Sequence, residues 1–124
     1  MTSVHVIPQS VDLLNKDNLK WSIYHQCNLT VIDGKVLCYK RVYSDISSEF
    51  NPEFKYKIGE IIEEPNAEIS DESCAPGLHF SHPSYYPYLD GYTILACEVN
   101  LEDIITVQEG KFRAKKCKVL SVFD

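Results

Sequence analysis

The segment from Cys74 to Tyr88, which reads CAPGLHFSHPSYYPY, contains the side chains of this chain that are best suited to binding or chemistry. It holds two histidines and three tyrosines within fifteen residues. A neutral imidazole can donate one hydrogen bond and accept another, and its pKa lies near physiological pH, which suits both recognition and proton transfer. Tyrosine rings can stack on a planar group while their hydroxyls orient it. We therefore predict a ligand site in this segment.

The first part of the segment, residues 77–81, predicts a strand in which His79 alternates with Leu78 and Phe80. The His79 ring should therefore point away from the side of the strand that enters the core, toward solvent or a cleft. A surface histidine without a function fits the same pattern. His82 precedes a proline, where a helix cap is a sufficient explanation.

The second part of the segment carries Tyr85, Tyr86 and Tyr88 on a predicted short helix. These rings could stack on a planar ligand such as a nucleotide. They could equally pack the helix onto the sheet. The sequence leaves both interpretations open.

Motifs and charge exclude several classes of site. The five cysteines are odd in number, lie far apart and never show the Cys-x-x-Cys spacing of zinc sites, so we expect reduced, buried thiols and no metal. No Gly-rich phosphate loop, Gly-x-Ser-x-Gly elbow or His-Glu-x-x-His motif occurs, which sets aside P-loop enzymes and hydrolases of those types. The net charge of -6 disfavours general nucleic-acid binding, because that mode needs a basic face.

Length and hydropathy predict a single domain over residues 1–124. No apolar run approaches the roughly 20 residues of a membrane helix, and the N-terminus lacks the basic and apolar blocks of a signal peptide. We therefore expect no membrane association and a cytoplasmic location. The oligomeric state stays open.

The segments that would position the site are mostly strands. Asp33-Gly34 separates two β-rich runs and predicts a type I′ hairpin, and the apolar run from Tyr92 to Val99 predicts a central strand. Ser10 could cap a first helix, and the tyrosine-rich stretch would form the second. We expect an α+β fold with about two short helices and a mostly antiparallel sheet, either one strongly bent sheet or two small ones.

Residues 76–81 (PGLHFS), the tyrosine-rich stretch and residues 92–99 (YTILACEV) together resemble the middle of the ADP-ribosyltransferase fold. In that family a Gly-Ile-Tyr-Phe-like strand is followed by a Ser/Ala-Tyr helix and a Leu-rich strand. The resemblance implies an ADP-ribosyltransferase-like fold with NAD as the cofactor. It would place His79 at the nicotinamide end of NAD, with Ser81 and Tyr88 on the flank.

Residues 36–41 (VLCYKR) resemble the first core strand of the same family, which carries an Arg or His that grips NAD. Lys40 or Arg41 would take that role. The family's catalytic glutamate stabilises the oxocarbenium-like ribose, and Glu109 is the candidate for it here. Glu98 is the alternative, although it lies inside an apolar strand.

A second resemblance covers most of the chain. Residues 74–79 share a Cys-x-x-Gly-Leu-His strand with uncharacterised domains of phage and giant-virus proteins, some of them attached to pentapeptide repeats. Residues 111–120 share the Lys-x-Arg-Ala-Lys-Lys-x-x-Val-Leu segment of those domains. This resemblance implies a viral or mobile-element origin, hence a location in the host cytoplasm, and no established activity.

Two functions of different classes follow for the predicted cleft. The first is a non-catalytic module that binds a nucleotide-derived ligand or a host protein. The second is an NAD-dependent ADP-ribosyltransferase, and a third alternative is a virion or assembly component. The prediction favours the non-catalytic module, because the glutamate lies in no defined motif. The predicted ligand-binding residues are Lys40, Arg41, His79, Ser81, Tyr85 and Tyr88.

Overall fold

The computed structural model of the protein describes residues 16–49, 53–64, 77–108 and 110–123. These residues form one α-helix, eight strands and two single-turn 3-10 helices at Pro83–Tyr85 and Leu101–Asp103. The helix and strands are, in chain order, α1 (Lys16–Cys27), β1 (Val31–Ile32), β2 (Lys35–Tyr43), β3 (Ile61–Glu63), β4 (Leu78–Ser81), β5 (Tyr92–Asn100), β6 (Ile104–Gln108), β7 (Lys111–Ala114) and β8 (Lys116–Val122).

All eight strands belong to one sheet in which every pair is antiparallel. The order is β3-β8-β5-β2-β4-β7-β6, and β1 pairs with β2. Strands β2 and β5 pair along their whole length, from Lys35 opposite Asn100 to Tyr43 opposite Tyr92. This pairing decides which side chains are neighbours on each face of the sheet.

The side chains of β2 alternate between two different environments, as strand geometry requires. Val36, Cys38, Lys40 and Val42 are buried, whereas the residues between them are half-buried or exposed. The buried face belongs to the same core cluster as the apolar stripe of α1, whose members recur every four residues at Leu19, Ile23 and Cys27. The other face of β2 therefore lies away from the main core.

The turn between β1 and β2 confirms the predicted hairpin. Asp33 and Gly34 have φ values of 54° and 74°, the two positive values that a type I′ turn requires. The predicted central strand is also confirmed, because β5 lies between β8 and β2.

The prediction of about two short helices is wrong for the described residues, which contain only α1. The tyrosine-rich stretch forms one 3-10 turn instead. Pro87 has no N–H to continue a helix, and it restricts the residue before it to extended conformations. Tyr86 accordingly has φ -105° and ψ 113°. The helix predicted after Ser10 falls largely outside the described residues.

The predicted α+β, ADP-ribosyltransferase-like arrangement is wrong as well. Of the two sheet arrangements expected, the described strands form the single sheet, because β2 pairs with β5 along one edge and with both β1 and β4 along the other; the α+β arrangement fails because this sheet dominates the described residues. In residues 16–123, as far as they are described, the result is a single antiparallel sheet with one α-helix packed on it. In the described part of the chain, no helix is long and apolar enough to cross a membrane.

Candidate functional site

An open groove of about 250 Å³ lies on the face of β2 and β5 that is turned away from the main core. We call it the aromatic groove. Its floor comes from neighbouring positions of the two strands, since Arg41 pairs with Ile94. One wall is the segment that follows β4, and Phe123, just beyond β8, contributes the other. The lining residues are Arg41, Pro83, Tyr86, Pro87, Tyr88, Leu89, Tyr92, Thr93, Ile94 and Phe123.

The Arg41 guanidinium is fixed at the floor of the aromatic groove. Its Nε donates to Glu49 Oε2 at 3.0 Å and its Nη2 donates to Glu49 Oε1 at 3.1 Å, which is a bidentate ion pair. The hydrogen bond to Glu49 raises the pKa of Arg41. The Cζ atom lies 4.7 Å from the centre of the Tyr92 ring and 5.8 Å from that of Tyr86. Two cation–π contacts and one ion pair therefore hold the group in place.

Two tyrosines of the groove are anchored through their hydroxyl groups, and Phe123 is anchored by a ring contact. The Tyr86 hydroxyl donates to the backbone oxygen of Tyr39 at 3.3 Å, and burial raises the pKa of Tyr86. The Tyr88 hydroxyl donates to Asp90 Oδ1 at 2.7 Å. The Phe123 ring packs edge-on against Tyr39, with 4.7 Å between ring centres. Each of these three rings is therefore held by at least one specific contact.

The rim of the aromatic groove is apolar and exposed. Tyr88 is 86% exposed, Phe123 47% and Leu89 45%. Contiguous exposed apolar side chains around a concavity are typical of an interaction site rather than of a solvated surface. The exposed rim and the fixed floor together make this groove the candidate functional site.

The aromatic groove contains two of the predicted ligand-binding residues, Arg41 and Tyr88. Lys40 lies on the opposite face of β2, buried in the core. Ser81 is buried, and its hydroxyl donates to the backbone oxygen of Gly110 at 2.5 Å. Tyr85 is 44% exposed and does not line the groove; its ring lies over Gly110.

His79 is partly buried next to Arg113, with which it pairs across β4 and β7. Its backbone oxygen accepts a hydrogen bond from Lys40 Nζ at 3.2 Å. Burial, and to a smaller extent the charges of Lys40, Lys111 and Arg113, together lower the pKa of His79 to about 4. The ring is therefore neutral at physiological pH. The predicted catalytic residue Glu109 lies outside the described residues.

Sequence reasoning missed three residues of the site: Glu49, Tyr92 and Phe123. Tyr92 begins the predicted central strand, and only the pairing of β2 with β5 places it beside Arg41, fifty-one positions earlier in the chain. Phe123 reaches the groove because its backbone N–H donates to Ile94 O at 2.7 Å beyond the end of β8. His82 was assigned correctly, since its Nδ1 accepts from the backbone N–H of Ser84 as the cap of the 3-10 turn.

Comparisons of the chain with models of known protein families, with curated proteins and with solved structures find no match. The resemblances to ADP-ribosyltransferases and to the viral domains therefore stay predictions. Among the described residues, no group of three or more His, Cys, Asp or Glu side chains is placed to hold a metal ion.

Proposed function

We propose that the protein is a binding module that takes an extended, proline-containing segment of a partner protein into the aromatic groove. The observation that carries this proposal is the apolar, exposed rim around a floor on which the Arg41 guanidinium is held against two aromatic rings. Proline-rich segments bind in aromatic-lined grooves because their polyproline II conformation is preformed and loses little entropy on docking.

The charge of the groove favours a peptide over a phosphate-bearing ligand. Glu49 neutralises Arg41, so the floor offers little net positive charge to a phosphate. Two of the five guanidinium N–H donors of Arg41 point to Glu49, and the other three have no acceptor among the described residues. Those donors suit the neutral carbonyl oxygens of a peptide backbone.

The size of the groove also favours a peptide over an enclosed small-molecule ligand. Its 250 Å³ lies below the roughly 300–1,000 Å³ of pockets that enclose whole small-molecule ligands or cofactors. A dinucleotide such as NAD would leave much of its surface outside. A peptide needs only a few side chains in the groove, while the exposed rim covers the rest.

The two carboxylates that bond to groove residues are already engaged, Glu49 by Arg41 and Asp90 by the Tyr88 hydroxyl, which supports binding rather than ribosyl transfer. The transferase alternative depends on Glu109 and stays a prediction. The experiment described next distinguishes the two.

The test is nuclear magnetic resonance of the isotopically labelled protein, titrated with two sets of probes. The first set contains synthetic peptides with a Pro-Pro-x-Pro core in which x is Tyr, Leu or Arg. The second set contains NAD and ADP-ribose. We expect peptide-induced shifts that cluster at Arg41, at residues 86–94 and at Phe123. Groove shifts with the nucleotides alone would contradict the proposal in favour of a nucleotide site, and no groove shifts with either set would also contradict it.

A further inference from the structure

Lys40 lies in the core of the protein and lines a second cavity, of about 150 Å³. The cavity is on the face of β2 opposite to the aromatic groove, so the two sites are separate. Its lining residues are Lys40, Ser48, Phe54, Tyr56, Ile62, Glu63, Glu64, Gly77 and Leu78. We call it the lysine cavity.

The surroundings of Lys40 are unusual for an ammonium group. The residue is only 5% exposed. Within the described part of the chain its Nζ has one hydrogen-bond acceptor, His79 O at 3.2 Å, and no carboxylate within ion-pair distance. The Phe80 ring, 5.7 Å away, is its other favourable contact. A buried cation with no ion-pair partner is strongly disfavoured, and the more distant charge of Glu49 offsets this only in part, so the group is biased toward the neutral amine.

A neutral lysine amine in a cavity has a recognised chemical use, because its lone pair can attack a carbonyl carbon. Burial lowers the pKa of Lys40, which increases the fraction that is neutral at a given pH. The same cavity contains Tyr56 and Ser48, which share a side-chain hydrogen bond. Burial raises the pKa of Tyr56, so its phenol stays protonated and can donate.

We propose that Lys40 forms an imine with a small, neutral aldehyde that enters the lysine cavity. The Nζ lone pair attacks the carbonyl carbon, a C–N bond forms and the C=O π bond breaks. The oxygen takes up one proton while the nitrogen releases one, which gives a carbinolamine. The hydroxyl then leaves with a second proton as water, and a C=N bond remains. The balance is amine plus aldehyde to imine plus water, without an oxidant or reductant.

The size and charge of the lysine cavity define the class of aldehyde. Its volume is about five times the roughly 30 Å³ that a water molecule occupies in the liquid, so the guest has only a few non-hydrogen atoms. Glu63 and Glu64 line the cavity and would repel an anionic compound such as a keto acid. A neutral aldehyde with a short chain meets both conditions.

The test is reductive trapping of the intact protein with propanal and cyanoborohydride at neutral pH. Reduction converts each imine into a stable propyl amine, and peptide mapping by mass spectrometry gives the labelling rate of each lysine. Lys35 and Lys55 are matched controls, because their side chains are 52% and 61% exposed. Exposed lysines should react first if accessibility alone decides.

We expect Lys40 to be labelled at least about tenfold faster than either control, despite its burial. The variant Lys40→Met should lose the fast label and keep the slow labelling of Lys35 and Lys55, while Lys55→Met should keep the fast label. Tyr56→Phe should slow the labelling of Lys40. Labelling of Lys40 that is no faster than that of the controls, measured in the wild-type protein alone, would overturn the proposal. Tyr88→Ala should leave the fast label unchanged, since the inference does not depend on the aromatic groove.

Discussion

Replacing Lys40 by methionine should stabilise the protein. The methionine side chain has a similar length and shape, so it fills the same space beneath β2 without an ammonium group. The substitution removes one hydrogen bond, to His79 O, and one cation–π contact, with Phe80. It also removes the need to strip water from a cation that is 5% exposed.

The magnitude follows from these opposing contributions. Burying an ion in a protein interior carries an effective penalty of several kcal/mol. A hydrogen bond from a charged donor stabilises the folded state by about 1.5–3 kcal/mol, and a desolvated cation–π contact stabilises it by up to about 2 kcal/mol. We expect the penalty to prevail, so that Lys40→Met raises the free energy of unfolding by about 1–3 kcal/mol at pH 7.

Urea denaturation followed by circular dichroism measures this difference. Lys55→Met is the control, because Lys55 is exposed and its replacement should change the free energy of unfolding by less than about 0.5 kcal/mol. A decrease of more than about 1 kcal/mol for Lys40→Met would refute the reasoning, since the ammonium would then be net stabilising.

The same comparison has a pH dependence of known sign. The pKa of Lys40 is lowered in the folded state, so the unfolded state binds more protons below its own value of 10.5. The wild-type protein therefore gains stability as the pH rises toward 10.5, whereas Lys40→Met lacks this gain. The advantage of the variant should narrow between pH 7 and pH 10.

Two further predictions concern β4 and its entry. A Cβ at Gly77, where φ is +149°, would lie 2.6 Å from Arg113 Cγ, whereas a Cβ at Gly91, where φ is +89°, meets nothing within 4 Å. Urea denaturation should therefore show that Gly77→Ala lowers the free energy of unfolding by about 2–4 kcal/mol and Gly91→Ala by about 1 kcal/mol. Equal losses for the two variants would contradict the close approach of Arg113 to Gly77. His79 has a pKa of about 4 when folded against 6.5 otherwise, so the unfolded state binds more protons and stability falls as the pH drops from 6.5 to 4. The lowered pKa limits this loss in the free energy of unfolding to about 3 kcal/mol, and since the ring is partly exposed we expect a loss of about 1–2 kcal/mol. Denaturation at several pH values should show that His79→Gln abolishes the loss.

Local sequence signals predicted the parts of the fold that depend on neighbouring residues. Asp33-Gly34 predicted the hairpin because these two residue types tolerate positive φ values, which is a property of the residues themselves. The run from Tyr92 to Val99 predicted a strand because its apolar side chains are continuous over the length of a strand. The prediction of a helix at the tyrosine-rich stretch is wrong because Pro87 restricts Tyr86 to an extended conformation, which ends the 3-10 turn.

The candidate site could be predicted only in part, because it is assembled from distant strands. Arg41 and Lys40 are adjacent in the sequence but project to opposite faces of β2, and a choice between them requires the register of the strand, which the sequence does not define. Arg41 meets Tyr92 only because β2 pairs with β5. The pairing of strands depends on residues far apart in the chain, and the periodicity within one strand does not predict which strand it pairs with.

The affinity of the aromatic groove for peptides is the most direct test of the proposed function. Tyr88 is 86% exposed and its side chain bonds only to Asp90 among the described residues, so Tyr88→Ala should remove a contact for the partner without unfolding the protein. Tyr24→Ala is the matched control, because Tyr24 is 57% exposed and lies on α1.

The measurement is a calorimetric titration of the wild-type protein and both variants with the peptide that gives the largest groove shifts. Loss of an aromatic anchor typically costs about 2 kcal/mol, so we predict that Tyr88→Ala weakens binding about 30-fold and that Tyr24→Ala leaves it unchanged. Equal affinities for all three proteins, or no measurable binding by the wild type, would contradict the assignment of the groove as a peptide-binding site.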